Sequence, residues 1–108
     1  MDLETKKDLT SNWFKTLQNA ICNNIDELEN NKIKFKSTIW KRNKKKDEGG
    51  GEYKILNNGK IFDKVGVNYS KVYGKFPKQF QKNIPGAQKD PRFWASGISV
   101  VMHMKNPL

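Results

Sequence analysis

The apolar residues of this chain change period at Ile33, and that change limits the folds open to it. Before it, Phe14, Leu17, Ile21, Ile25 and Leu28 recur at spacings of 3, 4, 4 and 3. That is one stripe of an amphipathic helix, read here as residues 11–31 with Thr10 or Ser11 at its start and Asn30-Asn31 at its end. Trp13 and Cys22 flank the stripe, and Cys22 reads as a packing residue. After it, Ile33, Phe35 and Ile39 alternate with Lys34, Lys36 and Thr38, the period of a half-buried strand. Further strands are expected at about 53–56, 60–73 and 96–104. A helix followed by successive antiparallel strands is an α+β arrangement.

The punctuation agrees with this order. Asn58-Gly59 is a hairpin signal, because a type I′ turn needs positive φ at both central residues. Pro77, Pro85-Gly86 and Pro91 mark residues 75–92 as a loop, with one short helix near Lys78–Asn83. Gly49-Gly50-Gly51 reads as a flexible turn. In the last strand Ile98, Val100, Met102 and Met104 share one face, while Gly97, Ser99, Val101 and His103 share the other. Ser99 and His103 therefore project the same way, ~13 Å apart along the strand. The chain stops at Asn106-Pro107-Leu108, directly after this apolar strand. Complete domains usually cover such an edge, so residues 1–108 are expected to be an incomplete part of one larger domain.

Composition bounds the function. In 108 residues there are 21 basic and 11 acidic side chains, a net charge of +10. Residues 1–31 carry a net −3, so the remainder carries +13. Such a field points to an anionic partner: nucleic acid, membrane headgroups or an acidic ligand. Only Arg42 and Arg92 are Arg, whereas bidentate reading of phosphate and guanine favours Arg over Lys. The run Lys41-Arg42-Asn43-Lys44-Lys45-Lys46 fits either a nucleic-acid patch or a solvated loop between strands. No apolar run approaches the ~20 residues of a membrane helix, and no secretory signal is visible. A single cysteine excludes an internal disulfide and a multi-cysteine zinc site.

Few residues suggest chemistry of their own. The glycine run lacks the G-K-[ST] ending of a P-loop and the G-x-G-x-x-G spacing of a dinucleotide site. His103 is the only histidine and cannot build a metal site unaided. Ser99 offers an anion-binding hydroxyl, too far from His103 for a nucleophile–base pair. Glu48, Glu52 and Asp63 read as solvated. From the residues alone this is a basic α+β piece that binds something anionic.

Read as ordered text, residues 39–108 resemble the oxygen-dependent (aerobic) coproporphyrinogen III oxidases of haem biosynthesis. The stretches are IWKRNKKKDEGGGEYKIL (39–56), NGKIFDKVGVNYSKVYGKFP (58–77), PGA (85–87) and FWASGISVVMHMKNP (93–107). Tyr73 stands where many members have His, three glycines where four are common, and Met104 where Pro usually follows the histidine. The resemblance implies a larger, helix-flanked flat antiparallel sheet. It implies that Ser99 contacts substrate and that His103 is a metal ligand. No catalytic residue would lie within this chain, because the family's next strand carries a His-x-Asn-x-Arg motif with the proton donor and propionate binder. The dimerisation region of these homodimers would also lie past Leu108.

The implied reaction converts two propionates of coproporphyrinogen III to vinyl groups, giving protoporphyrinogen IX, carbon dioxide and hydrogen peroxide. Dioxygen is the co-substrate, with no organic cofactor; a divalent metal is part of some descriptions of the family. The implied setting is cytoplasmic, without a membrane span and without nucleic acid, and the isolated chain is expected to be inactive. The alternative is a non-enzymatic basic module that binds nucleic acid or another polyanion.

Overall fold

The computed structural model describes residues 1–106. In chain order these form α1 (Leu3–Leu28), β1 (Lys36–Lys41), β2 (Gly49–Asn57), β3 (Phe62–Lys75), α2 (Lys78–Gln81) and β4 (Arg92–Met104). The strands make one sheet in the order β1-β2-β3-β4, with every neighbouring pair antiparallel. The α+β expectation holds, and the short helix lies where the proline-rich stretch placed it. The element boundaries shift.

α1 starts at Leu3, well before residue 11. Asp2 caps it, its carboxylate accepting the Thr5 N–H at 2.7 Å. Thr10 and Ser11 are inside the helix, their hydroxyls donating back to the Lys6 and Lys7 carbonyls. The first turns carry no apolar stripe, since Leu3 and Leu9 are exposed, so hydrophobic period could not reveal them. The buried face is also turned by about one residue. Ser11, Gln18, Cys22 and Ile25 are buried, whereas Leu28 is exposed. Gln18 drives that turn: its Nε2 donates to the Glu52 carbonyl at 2.8 Å and the Val67 carbonyl at 3.0 Å. A polar side chain is thereby fixed on the face that packs against the sheet.

The core is small and one-sided. Cys22 and Ile25 of α1 pack on Leu56, Phe62, Val65 and Val67, with Ile33, Phe35 and Ile98 at the margin. Ile33 and Phe35 pack just before the first strand, which begins at Lys36 and not at residue 33. A register shift between Phe62 and Lys64 lets Phe62 and Val65 face the same side, although three residues separate them.

The β2–β3 hairpin forms, but not as a type I′ turn. Asn58 has φ 57°, while Gly59 is not in the left-handed region. The connection is held from outside by Glu29, the residue that ends α1. Its carboxylate accepts the N–H groups of Lys60, Ile61 and Phe62 at 2.6, 2.8 and 2.9 Å, and the residue is only 3% exposed. Gly59 is required because a Cβ there would sit 2.6 Å from Glu29 Oε1. Burial alone would raise the Glu29 pKa, but the three amides and the nearby Lys105 outweigh it, leaving the carboxyl below its ordinary value.

Replacing Glu29 by Ala strands three donors, so a loss of about 3 kcal/mol is expected in urea unfolding, with Glu29→Gln intermediate. Because the folded pKa is depressed, this contribution is fully present above the unfolded carboxylate value. It fades as pH falls through the folded one. Denaturation midpoints measured between neutral and acidic pH should show that slope in the parent chain and a shallower one in Glu29→Gln.

Candidate functional site

Residues directly opposite in antiparallel strands share a face, so the register sorts the sheet into two surfaces. Leu56, Val65, Val67 and Ile98 face α1. The other surface is uncovered among the described residues and carries Trp40, Gly51, Tyr53, Asn68, Ser70, Ser99, Val101 and His103. Ser99 and His103 do share this face, as their alternation predicted, and both are exposed.

Their neighbours differ. Ser99 lies opposite Asn68, whose Oδ1 accepts the Trp40 indole N–H at 3.1 Å. That bond spans from β1 to β3 across β2, and Gly51 makes the crossing possible. A Cβ on Gly51 would collide with the Tyr69 carbonyl and approach the Trp40 ring. The glycine run is therefore part of β2 and not a flexible turn, which corrects the sequence reading. Gly66 and Gly97, also on this face, keep the surface around Ser99 low. Asn68 and Trp40 escaped the sequence reading because only the register across three strands brings them beside Ser99.

His103 sits at the far end of β4, opposite Lys64. A cation beside the histidine opposes a metal there. No group of three or more His, Cys, Asp or Glu side chains clusters among the described residues. The described residues do not make up a metal centre by themselves. Cys22 is buried, and burial pushes its thiol up to about 11, so it packs and does not react.

The loop joining β1 to β2 is built from its own charges. Arg42 Nη1 pairs with Glu48 at 2.8 Å and also donates to the Tyr73 carbonyl at 3.0 Å. The Arg42 guanidinium lies 4.9 Å from the centre of the Phe93 ring, and Phe93 stacks on Phe76. Asn43 donates to the other Glu48 oxygen at 2.6 Å and accepts the Lys45 N–H at 2.8 Å. Glu48 is thus a structural partner and not a solvated charge, and Glu52 accepts from Ser37. The Tyr73 hydroxyl donates to Asp47. That bond raises the Tyr73 pKa and, together with the Gly49 N–H, lowers that of Asp47. Against this loop lies a cavity of about 580 Å³ walled by the glycine run, Tyr69, Tyr73 and several lysines. A second, of about 950 Å³, lies between the start of α1 and the ends of β3 and β4. Ser99 and His103 line neither.

The protein-family model described as coproporphyrinogen III oxidase matches residues 9–108. The chain belongs to the coproporphyrinogen III oxidase family. It is 42% identical over 110 aligned positions to the oxygen-dependent coproporphyrinogen-III oxidase of Rickettsia akari (strain Hartford), covering 94% of this chain and 38% of that relative. It is 40% identical over 116 positions to the enzyme of the same description from Rickettsia africae (strain ESF-5), covering 100% of this chain and 40% of that relative. The chain thus spans about two-fifths of the length of the curated coproporphyrinogen oxidases it matches. No helix among the described residues is long and apolar enough to cross a membrane.

The Trp40–Asn68 bond over Gly51 makes a direct prediction for this family member. Gly51→Val should cost more than about 2 kcal/mol, because a β-branched side chain must displace both the Tyr69 carbonyl and the Trp40 ring. It should also shift Trp40 fluorescence. Thermal unfolding and emission spectra check both; a variant as stable as the parent would contradict the close approach.

Proposed function

We propose that this chain supplies a substrate-binding sheet face for the oxygen-dependent oxidative decarboxylation of coproporphyrinogen III to protoporphyrinogen IX. The observation that carries the reading is the family match over residues 9–108, which includes Ser99 on the uncovered face. For each of two propionates, a hydride leaves the β-carbon and the carboxylate leaves as carbon dioxide. The electron pair of the broken carbon–carbon bond becomes the vinyl double bond. Dioxygen takes up the hydride and one proton to give hydrogen peroxide, so atoms and charge balance without an organic cofactor.

Within this scheme the Ser99 hydroxyl donates a hydrogen bond to a substrate carboxylate or accepts one from a pyrrole N–H. Asn68, held by Trp40, fixes the polar surface beside it. Charge-assisted hydrogen bonds to carboxylates are the stronger class, which suits a tetracarboxylate substrate and a chain of net charge +10. Holding substrate and turning it over are separate tasks, and we assign the first to this chain. The rest of the family reading, a cytoplasmic homodimer without nucleic acid, rests on the family alone.

The test uses coproporphyrin III, the stable oxidised relative of the substrate, titrated into the purified chain. Binding is expected, and Ser99→Ala should weaken it about tenfold, equivalent to about 1.4 kcal/mol. An oxygen-dependent assay with coproporphyrinogen III and the 108-residue chain alone should give no protoporphyrinogen IX. Affinity for duplex DNA that falls steeply with salt, without porphyrin binding, would instead favour the polyanion module.

A further inference from the structure

The lysine-lined cavity against the β1–β2 loop has no part in the reading of Ser99. Lys41 of β1 and Lys71 of β3 are brought to the same sheet face by register, with Gly50 between them on β2. Two cations thus flank a position that has no side chain, about two strand spacings or ~10 Å apart. Lys15 from α1 and Lys44, Lys45 and Lys46 from the loop complete the cationic wall. None of these six has a carboxylate within ion-pair distance among the described residues.

The nearby acids are already engaged. Glu48 is held by Arg42 and Asn43, Asp47 by Tyr73 and the Gly49 N–H, and Glu52 by Ser37. Among them only Glu48 is paired with a cation, Arg42. Asp47 and Glu52 keep their charge and also line the cavity, so six lysines face two carboxylates around the hollow and leave it net positive. Tyr69 and Tyr73 give that hollow an aromatic wall. Its volume, about 580 Å³, is within the range of small-molecule sites. Lysines spread around the walls suit several separated anionic groups better than one compact anion, and they present point charges without a bidentate fork.

We propose that this cavity binds a small organic molecule bearing several carboxylates, at a site separate from Ser99. Ser99 is on the opposite face of the sheet and does not line the cavity. The site stands on the loop's charge pairing, whether or not Ser99 contacts a porphyrinogen.

Isothermal titration of the purified chain with citrate tests it, alongside Lys41→Gln/Lys71→Gln, Ser99→Ala and a Lys34→Gln/Lys82→Gln control. Gln keeps most of each aliphatic stem, and circular dichroism confirms that the variants fold. Citrate is expected to bind, at least tenfold more weakly in the Lys41/Lys71 variant and unchanged in the other two. No citrate binding, or a Lys41/Lys71 variant within twofold of the parent, overturns the site. The same titrations with coproporphyrin III separate the two readings. Porphyrin binding lost in Ser99→Ala while citrate binding persists supports both. Citrate binding without porphyrin binding keeps the cavity and sinks the substrate reading. Duplex DNA binding that depends on Lys41 and Lys71 without citrate binding overturns the small-molecule ligand.

Discussion

A single carboxylate joins the helix to the sheet. Glu29 ends α1, and its two oxygens accept three consecutive backbone N–H groups where β2 turns into β3. A free hairpin tip would leave those donors to water; here they fix the chain's entry into β3. That entry sets where the irregularity at Phe62 and Lys64 falls, and hence which residues of β3 face α1. A one-residue slip would send Val65 and Val67 outward and Asn68 inward, exchanging the core for the candidate site. The candidate site and the hydrophobic core are two sides of the same register.

The thinness of that core follows from its being one-sided. α1 covers part of one sheet face, with Gln18 bonded to the carbonyls of two strands at its centre. The uncovered face is not merely leftover surface. Its glycines lower the surface, its Trp40–Asn68 bond spans three strands, and Ser99 stands beside that bond. At the loop end, Glu48 is paired with Arg42, and around the hollow formed by backbone and tyrosines six lysines outnumber the two carboxylates, Asp47 and Glu52. The excess of Lys thus acquires a location, which a net charge lacks.

Much of this was legible in order and type, less in detail. The switch from helical to alternating period at Ile33 revealed the α+β order, because both elements bury one face. The alternation of β4 placed Ser99 and His103 together for the same reason. The start of α1 was not legible, since Asp2 capping and exposed turns leave no hydrophobic period. The glycine run read as a turn because glycine is common in turns. Its need for close strand approach is visible only once Tyr69 and Trp40 are placed beside Gly51. Glu29 was invisible for a similar reason: its partners lie more than thirty residues away. His103 was placed on the correct face, but its pairing with Lys64 depends on a register that no local pattern encodes.

The central claim is that substrate-like tetracarboxylates meet this chain on the face opposite α1. The three tryptophans give that claim a direct readout, because Trp40 lies on the uncovered face, Trp13 on exposed helix and Trp94 on the helix-facing side of β4. Indole N–H signals followed by NMR during titration with coproporphyrin III should move for Trp40, together with the backbone amides of Asn68 and Ser99. Those of Trp13 and Trp94 should stay in place. Because Trp40 also borders the lysine cavity, the Asn68 and Ser99 amides decide. Shifts confined to Trp13 or Trp94, or shifts at Trp40, Lys41 and Lys71 with Asn68 and Ser99 unmoved, would contradict the account.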